Sequence, residues 1–169
     1  MMVGVVSDTH DNVEMVERAV EVLNSYELEL VIHAGDIVAP FTLKRFSGLR
    51  AEMVCVFGNN DGEKTLLAKV ASSLGIEISE QPLELEIGGR KILVFHGFGG
   101  ARTTEIAARA LASTGEYDAV VYGHTHEASI ERLGSALVLN PGEVFGGLSG
   151  KSTLAVVDLE KMEATLVEL

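Results

Sequence analysis

The sequence predicts an α/β fold: a mainly parallel sheet, a second mixed sheet packed on it, and helices outside. Two observations carry that expectation. Short apolar runs alternate with helix-period segments through the first two-thirds of the chain, and three hairpin signals lie among and after them. Val3–Val6, Glu29–His33, Met53–Phe57, Ile92–Phe95 and Ala119–Tyr122 read as buried strands, being short runs rich in Val, Ile and Leu. Val13–Leu23 reads as a helix with apolar residues at Val13, Val16, Ala19, Val20 and Leu23, capped by Asp11 or Asn12. Pro40–Phe46 can begin a short helix with Pro40 in its first turn, and Lys64–Leu74 and Thr103–Ala112 also fit helices. The hairpins are Leu83–Ile87 with Lys91–Phe95 around Gly88-Gly89, Ser129–Leu133 with Ala136–Leu139 around Gly134-Ser135, and Ser152–Asp158 with Ala164–Leu169 around Glu160-Lys161. Strand–helix–strand repetition makes the first sheet mainly parallel; the hairpins make the second one mixed.

The chain has 169 residues, enough for one domain spanning 1–169, and no linker, repeat or low-complexity segment divides it. At 47% hydrophobic and 22% charged residues it can bury a core, which excludes a disordered chain. Net charge is −12, from 25 acidic and 13 basic side chains. Such a surface repels a polyphosphate backbone, so nucleic acid is not the expected partner. Two bound dications would offset this locally by roughly four positive charges where a phosphate would sit. The single cysteine, Cys55, lies in the run Met53–Phe57 and reads as a buried strand residue, not a nucleophile. The opening Met1–Val6 lacks a basic segment and is too short for a signal peptide, and no run approaches the ~20 apolar residues of a membrane span. The expectation is a cytoplasmic protein with no membrane partner.

The chemistry-bearing residues fall at strand ends. Asp8 and His10 follow the first strand, Asp36 the second, and Asn59, Asn60 and Asp61 the third. His96 follows Leu93–Phe95, and His124 and His126 follow Val120–Tyr122. In open α/β sheets ligands bind outside the carboxyl ends of strands, so these residues share one rim. A lone strand-end Asp is usually a turn or helix cap, and Asp61 could simply cap the helix that follows it. A lone His is usually a satisfied core or surface residue, and His33, inside an apolar strand, is read that way. Capping does not require histidines at two further strand ends, however. In Asp8-Thr9-His10 and His124-Thr125-His126 the two side chains stand at i and i+2, sharing a face if the chain is extended. Asp8, His10, Asp36, Asn59, His96, His124 and His126 exceed what one ion needs and suit two ions ~3.5–4 Å apart sharing a carboxylate. Oxygen and imidazole donors without thiolate suit two divalent transition-metal ions, Mn²⁺ first, with Ni²⁺, Fe²⁺ or Zn²⁺ as alternatives.

These segments resemble the calcineurin-like metallophosphoesterase superfamily, whose pattern is D-x-H, G-D, G-N-H-[DE], a His after a strand, and G-H-x-H. Here they stand in order as Asp8-Thr9-His10, Gly35-Asp36, Gly58-Asn59-Asn60-Asp61, His96 and Gly123-His124-Thr125-His126. Asn140-Pro141-Gly142 resembles the N-P-G of the small archaeal and bacterial phosphodiesterases in that superfamily. The resemblance implies two mixed β-sheets sandwiched between helices in four αββα layers. It assigns one metal to Asp8, His10, Asp36 and His126, and the other to Asp36, Asn59, His96 and His124, with Asp36 bridging. It implies hydrolysis of small phosphodiesters by a hydroxide bridging the ions. Asn60 would contact a phosphoryl oxygen and Asp61 would orient Asn60. Two departures stand out: Asn60 replaces a common His, and Phe98 stands where the subgroup often has His. Glu143 replaces a common Ser and is expected to face away from a phosphate. Arg102, in the glycine-rich loop after His96, is a weaker candidate for reaching substrate. The rival readings are a non-catalytic assembly module, as in a retromer subunit that resembles this family, a nuclease, or a phosphomonoester or phosphoprotein phosphatase. The expected partner is a small phosphoester, with a homodimer or homo-oligomer left open.

Overall fold

The computed structural model describes Met1–Leu169 and arranges the chain in four layers. The first sheet holds β1 (Met2–Val6), β2 (Leu30–His33), β3 (Glu52–Val56), β4 (Glu77–Ser79), β10 (Thr153–Asp158) and β11 (Glu163–Glu168), in the order β11-β10-β1-β2-β3-β4. The second holds β5 (Leu83–Ile87), β6 (Arg90–Phe95), β7 (Ala119–Tyr122), β8 (Ser129–Leu133) and β9 (Ala136–Asn140), in the order β5-β6-β7-β9-β8. Helices α1 (Val13–Leu23), α2 (Pro40–Leu43) and α3 (Lys64–Leu74) lie outside the first sheet, and α4 (Ala101–Ala112) outside the second.

Strand periodicity builds these layers. Val3, Val5, Ile32 and Val56 turn inward to meet Ile92, Val94, Val121 and Leu139 between the sheets, while Val31, Met53 and Cys55 turn outward onto α1 and α3. Leu93, Phe95, Val120 and Tyr122 face Ala108 and Ala112 of α4. Asn12 caps α1, its side chain accepting from the Met15 amide, and Gly75 ends α3 in the left-handed region at φ +72°. Cys55 is buried as expected, and burial pushes its thiol well above the usual range. No helix is long and apolar enough to cross a membrane.

The division between sheets corrects the sequence reading. The five runs do not form one parallel sheet: β1, β2 and β3 pair in parallel in the first, while β6 and β7 pair in the second. The third hairpin, β10–β11, joins the first sheet by antiparallel pairing of β10 with β1. The reason is that β10 is apolar on both faces. Ala155 and Val157 line the space between sheets, while Leu154 and Val156 face the helices. Such a strand belongs beside a central neighbour, not at a solvated edge. The helix begun by Pro40 ends at Leu43 and tightens into a 3₁₀ turn over Lys44–Gly48, and β4 is a short strand that the sequence reading did not contain.

His33 is the satisfied core residue expected. Its Nδ1 accepts from the Gly35 amide (3.1 Å), its Nε2 lies 3.3 Å from the Thr9 hydroxyl, and its ring stands edge-on to Phe46. Burial pushes its pKa from 6.5 down to about 4. Folded His33 therefore stays neutral where the unfolded chain would take up a proton. Its contribution to stability is present above pH 6.5 and lost as pH falls toward 4. His33→Asn keeps an acceptor near Nδ1 and removes the titration. Urea denaturation of the metal-free proteins should show a shallower acid loss for the variant, by up to about 3 kcal/mol across that window. Parallel losses in both proteins would show that His33 is not held neutral.

Candidate metal centre

The seven expected ligands converge, from the ends of strands in both sheets, into one connected series. His126 Nε2 lies 3.6 Å from Asp8 Oδ1, which is also 3.6 Å from His10 Nε2. His10 Nε2 is 3.4 Å from Asp36 Oδ2, which is 3.3 Å from His96 Nε2. His96 Nε2 is 2.9 Å from Asn59 Oδ1, which is 2.9 Å from His124 Nδ1. Asp36 stands in the middle. Asp8, Asp36 and His96 form a buried floor, and the partly buried His10, His124 and His126 are walls around it.

Convergence does not come from strand alternation, which corrects the extended reading of the two i, i+2 pairs. Asp8 (φ 53°), His10 (39°), Asp36 (60°), His124 (69°) and His126 (62°) all occupy the left-handed region. Each strand therefore stops and the chain turns sharply, swinging both members of a pair toward the centre. Asp and His tolerate that region better than most residues, but such backbone costs of order 1 kcal/mol apiece and collects at functional sites. Two motif glycines have a matching reason. A Cβ on Gly58 would collide with the Asp36 carboxylate, and one on Gly123 would come within 2.8 Å of Asp8 Oδ2. Only glycine lets these turns pass so close to the ligands.

Outer hydrogen bonds fix which atoms face inward. The Ala34 carbonyl lies 2.8 Å from His96 Nδ1 and the Gly99 carbonyl 2.8 Å from His124 Nε2. A carbonyl can only accept, so those nitrogens donate, and in the neutral rings His96 Nε2 and His124 Nδ1 present lone pairs inward. His126 Nδ1 lies 2.7 Å from Glu143 Oε2 and is oriented the same way. Asp8 Oδ2 accepts from the Ser7 hydroxyl (2.5 Å) and the His124 amide (3.0 Å), which leaves Oδ1 for the centre. Gln81 holds the turn after β6, its Oε1 accepting from the His96 and Gly97 amides. Asn140 donates to the Gly123 carbonyl and the Thr125 hydroxyl, so the N-P-G segment braces the His124–His126 turn.

The donor set fits cations. Asp8 Oδ1 and His10 Nε2 are buried without any hydrogen-bond partner, a costly state for an acceptor and a ring nitrogen unless something else satisfies them. With the rings neutral, the inward atoms of Asp8, Asn59, His96, His124 and His126 are acceptors facing acceptors, and Asp36 among them takes donors only from Asn60. Oxygen and imidazole donors without sulfur suit borderline divalent ions. Burial would raise the Asp36 pKa, but His96 and two Asn60 hydrogen bonds outweigh it and hold the carboxyl well below the usual range. Burial would lower the pKa of His10, but the Asp8 contact and the Asp36 charge outweigh it and raise it.

Other expected residues are placed differently. The Asp61 carboxylate accepts from the Gly58, Asp36 and Val38 amides (2.7, 3.1 and 2.6 Å), so it shapes the Asp36 turn; it neither caps α3, whose cap position is Glu63, nor orients Asn60. Asn60 is exposed, and its side-chain and backbone NH groups both donate to Asp36 (2.7 and 2.8 Å). Glu143 does not face away: it is fully buried against His126, because its other oxygen is saturated by Leu148 and Ser149. Arg102 is exposed on the first turn of α4, and Phe98 is exposed over Phe95. Sequence reasoning missed Ser7 and Gln81. Ser7 directly precedes Asp8, whereas no pattern marks Gln81.

Known proteins resemble the chain along its whole length. The model of the calcineurin-like phosphoesterase superfamily domain matches residues 1–162. A phosphodiesterase of Methanocaldococcus jannaschii is 38% identical over 164 residues, covering 96% of each chain. A probable metallophosphoesterase of Methanothermobacter thermautotrophicus is 31% identical over 170 residues, covering 99% of this chain and 92% of that one. The solved structure of an archaeal phosphodiesterase superposes with a TM-score of 0.90 at 37% identity, covering both chains completely. With its motifs, its two-sheet architecture and these full-length matches in agreement, the chain belongs to the calcineurin-like phosphoesterase superfamily.

Proposed function

We propose that the protein hydrolyses small phosphodiesters with two divalent ions, one held by Asp8, His10, Asp36 and His126 and the other by Asp36, Asn59, His96 and His124. The observation that carries this reading is the unbroken series of inward-facing acceptors with Asp36 at its middle. The relative named a phosphodiesterase, 38% identical over nearly the whole chain, supports a diester as substrate. Bound there, the ions would supply positive charge that polarises a phosphoryl group and acidifies water. The residues do the rest by position. Ala34, Gly99 and Glu143 hold three imidazoles with their lone pairs inward, so little rearrangement accompanies binding. Of the candidate metals we take Mn²⁺ first, on a donor set of three oxygen-bearing and four imidazole side chains without thiolate, which also suits Fe²⁺, Ni²⁺ or Zn²⁺. A net charge of −12 favours a small substrate over a nucleic acid.

Asn60 has a defined part in this reading. With Asp36 engaged by the ions, its amide would be free to donate to a phosphoryl oxygen, but an amide cannot give up a proton to a leaving alkoxide. The protein should therefore prefer esters whose leaving groups are stable anions.

Asp36→Asn should lower turnover of the Mn²⁺-loaded protein more than His10→Gln does, because it weakens both half-sites. Its loss should exceed the about 10–100-fold typical of removing a ligand's supporting partner. Steady-state rates on a nitrophenyl phosphodiester check this, and equal, mild losses would remove Asp36 from the bridging position. Separately, Asn60→His should raise the rate on alkyl diesters more than on nitrophenyl diesters, since general acid catalysis is worth about 10²–10⁴-fold. Equal factors on both substrates would mean that Asn60 only binds phosphate.

A further inference from the structure

Glu143 has no part in the ligand set, yet it is fully buried beside it. One oxygen, Oε2, lies 2.7 Å from His126 Nδ1. The other, Oε1, accepts from the Leu148 amide (2.9 Å), the Ser149 amide (2.6 Å) and the Ser149 hydroxyl (2.8 Å). The Glu143 backbone is fastened too, since the Thr153 amide donates to its carbonyl (2.9 Å). A carboxylate held this firmly does not rotate. It presents a single oxygen to the imidazole along a fixed direction.

We infer that Glu143 is a positioning residue for the metal centre: it keeps the proton of His126 on Nδ1 and aims the Nε2 lone pair at Asp8 Oδ1. The inference deepens the proposed function and rests on its metal reading for the affinity readout alone. A histidine in contact with water populates both tautomers, and only one of them offers Nε2 as a donor of electrons to a metal. The His126 side chain keeps 15% of its surface open to solvent, and Glu143 is the partner within hydrogen-bond distance of its Nδ1. Glu143 sets the tautomer. A neutral amide or a hydroxyl in that place would hold the ring more weakly, because a hydrogen bond to an ionised acceptor is about twice as strong. The same carboxylate fastens the glycine-rich segment after Phe145, whose ring stands edge-on to His10 at 5.6 Å. One side chain thus ties a surface loop to two of the ligands.

The test compares wild type with Glu143→Leu, Glu143→Gln and Ser149→Ala. Long-range ¹H–¹⁵N spectra of the metal-free proteins report the His126 tautomer, and Mn²⁺ calorimetry reports affinity. Wild type and Ser149→Ala should show the Nδ1–H form and bind Mn²⁺ alike. Glu143→Leu should shift the proton toward Nε2 and weaken Mn²⁺ binding about 10–100-fold. If Glu143→Leu fails to fold, Glu143→Gln carries the test, since the loss of the charge alone should weaken Mn²⁺ binding by about threefold or more. A loss of melting temperature in the Glu143 variants, with the tautomer and the affinity unchanged, would overturn the inference and leave Glu143 as a loop anchor. Should wild type bind no Mn²⁺, the metal reading fails, and the tautomer of Glu143→Leu against wild type still decides the role of Glu143.

Discussion

The Asp36 carboxylate is the constraint on which the rest of the site depends. It sits at the middle of the converging side chains, touching His10 on one side and His96 on the other, with Asn60 donating to both its oxygens. A carboxylate buried this deeply is tolerated only where cations or donors surround it. The surroundings are arranged accordingly. Asp61 accepts from three amides to fix the Asp36 turn, and Gly58 is a glycine because a larger residue would displace the carboxylate.

Two sheets, not one, deliver the candidate ligands. The first contributes Asp8, His10, Asp36 and Asn59 from the turns after β1, β2 and β3, while the second contributes His96, His124 and His126 from the turns after β6 and β7. Each proposed set of four draws on both sheets, so the apolar layer between the sheets fixes how closely the two groups of side chains approach. Close packing there makes the geometry stiff, since side chains at interior density transmit displacement instead of absorbing it. The left-handed turns at five of these residues add local strain that this packed frame can sustain.

Most of the fold, and the convergence of the seven candidate residues on one place, were legible in the sequence. Helices α1 and α3 were read with their observed ends; for α1 apolar periodicity and the cap at Asn12 agree. The partition of strands between sheets was not legible. A short apolar run says that a strand is buried, not which neighbours bury it, and β10 could be placed only by packing. That convergence was legible because histidines and carboxylates at successive strand ends have few other causes. Their supports were hidden for a different reason. Gln81 and Glu143 act through contacts between segments distant in sequence, and Asp61 looked like a cap because caps and turn anchors share a chemistry.

The most direct measurement is anomalous X-ray scattering from a Mn²⁺-soaked crystal. Two peaks ~3.5–4 Å apart, with Asp36 ligating both, are expected for a two-ion centre of this kind. A single peak, or a pair of which Asp36 touches only one, would contradict the account at its centre.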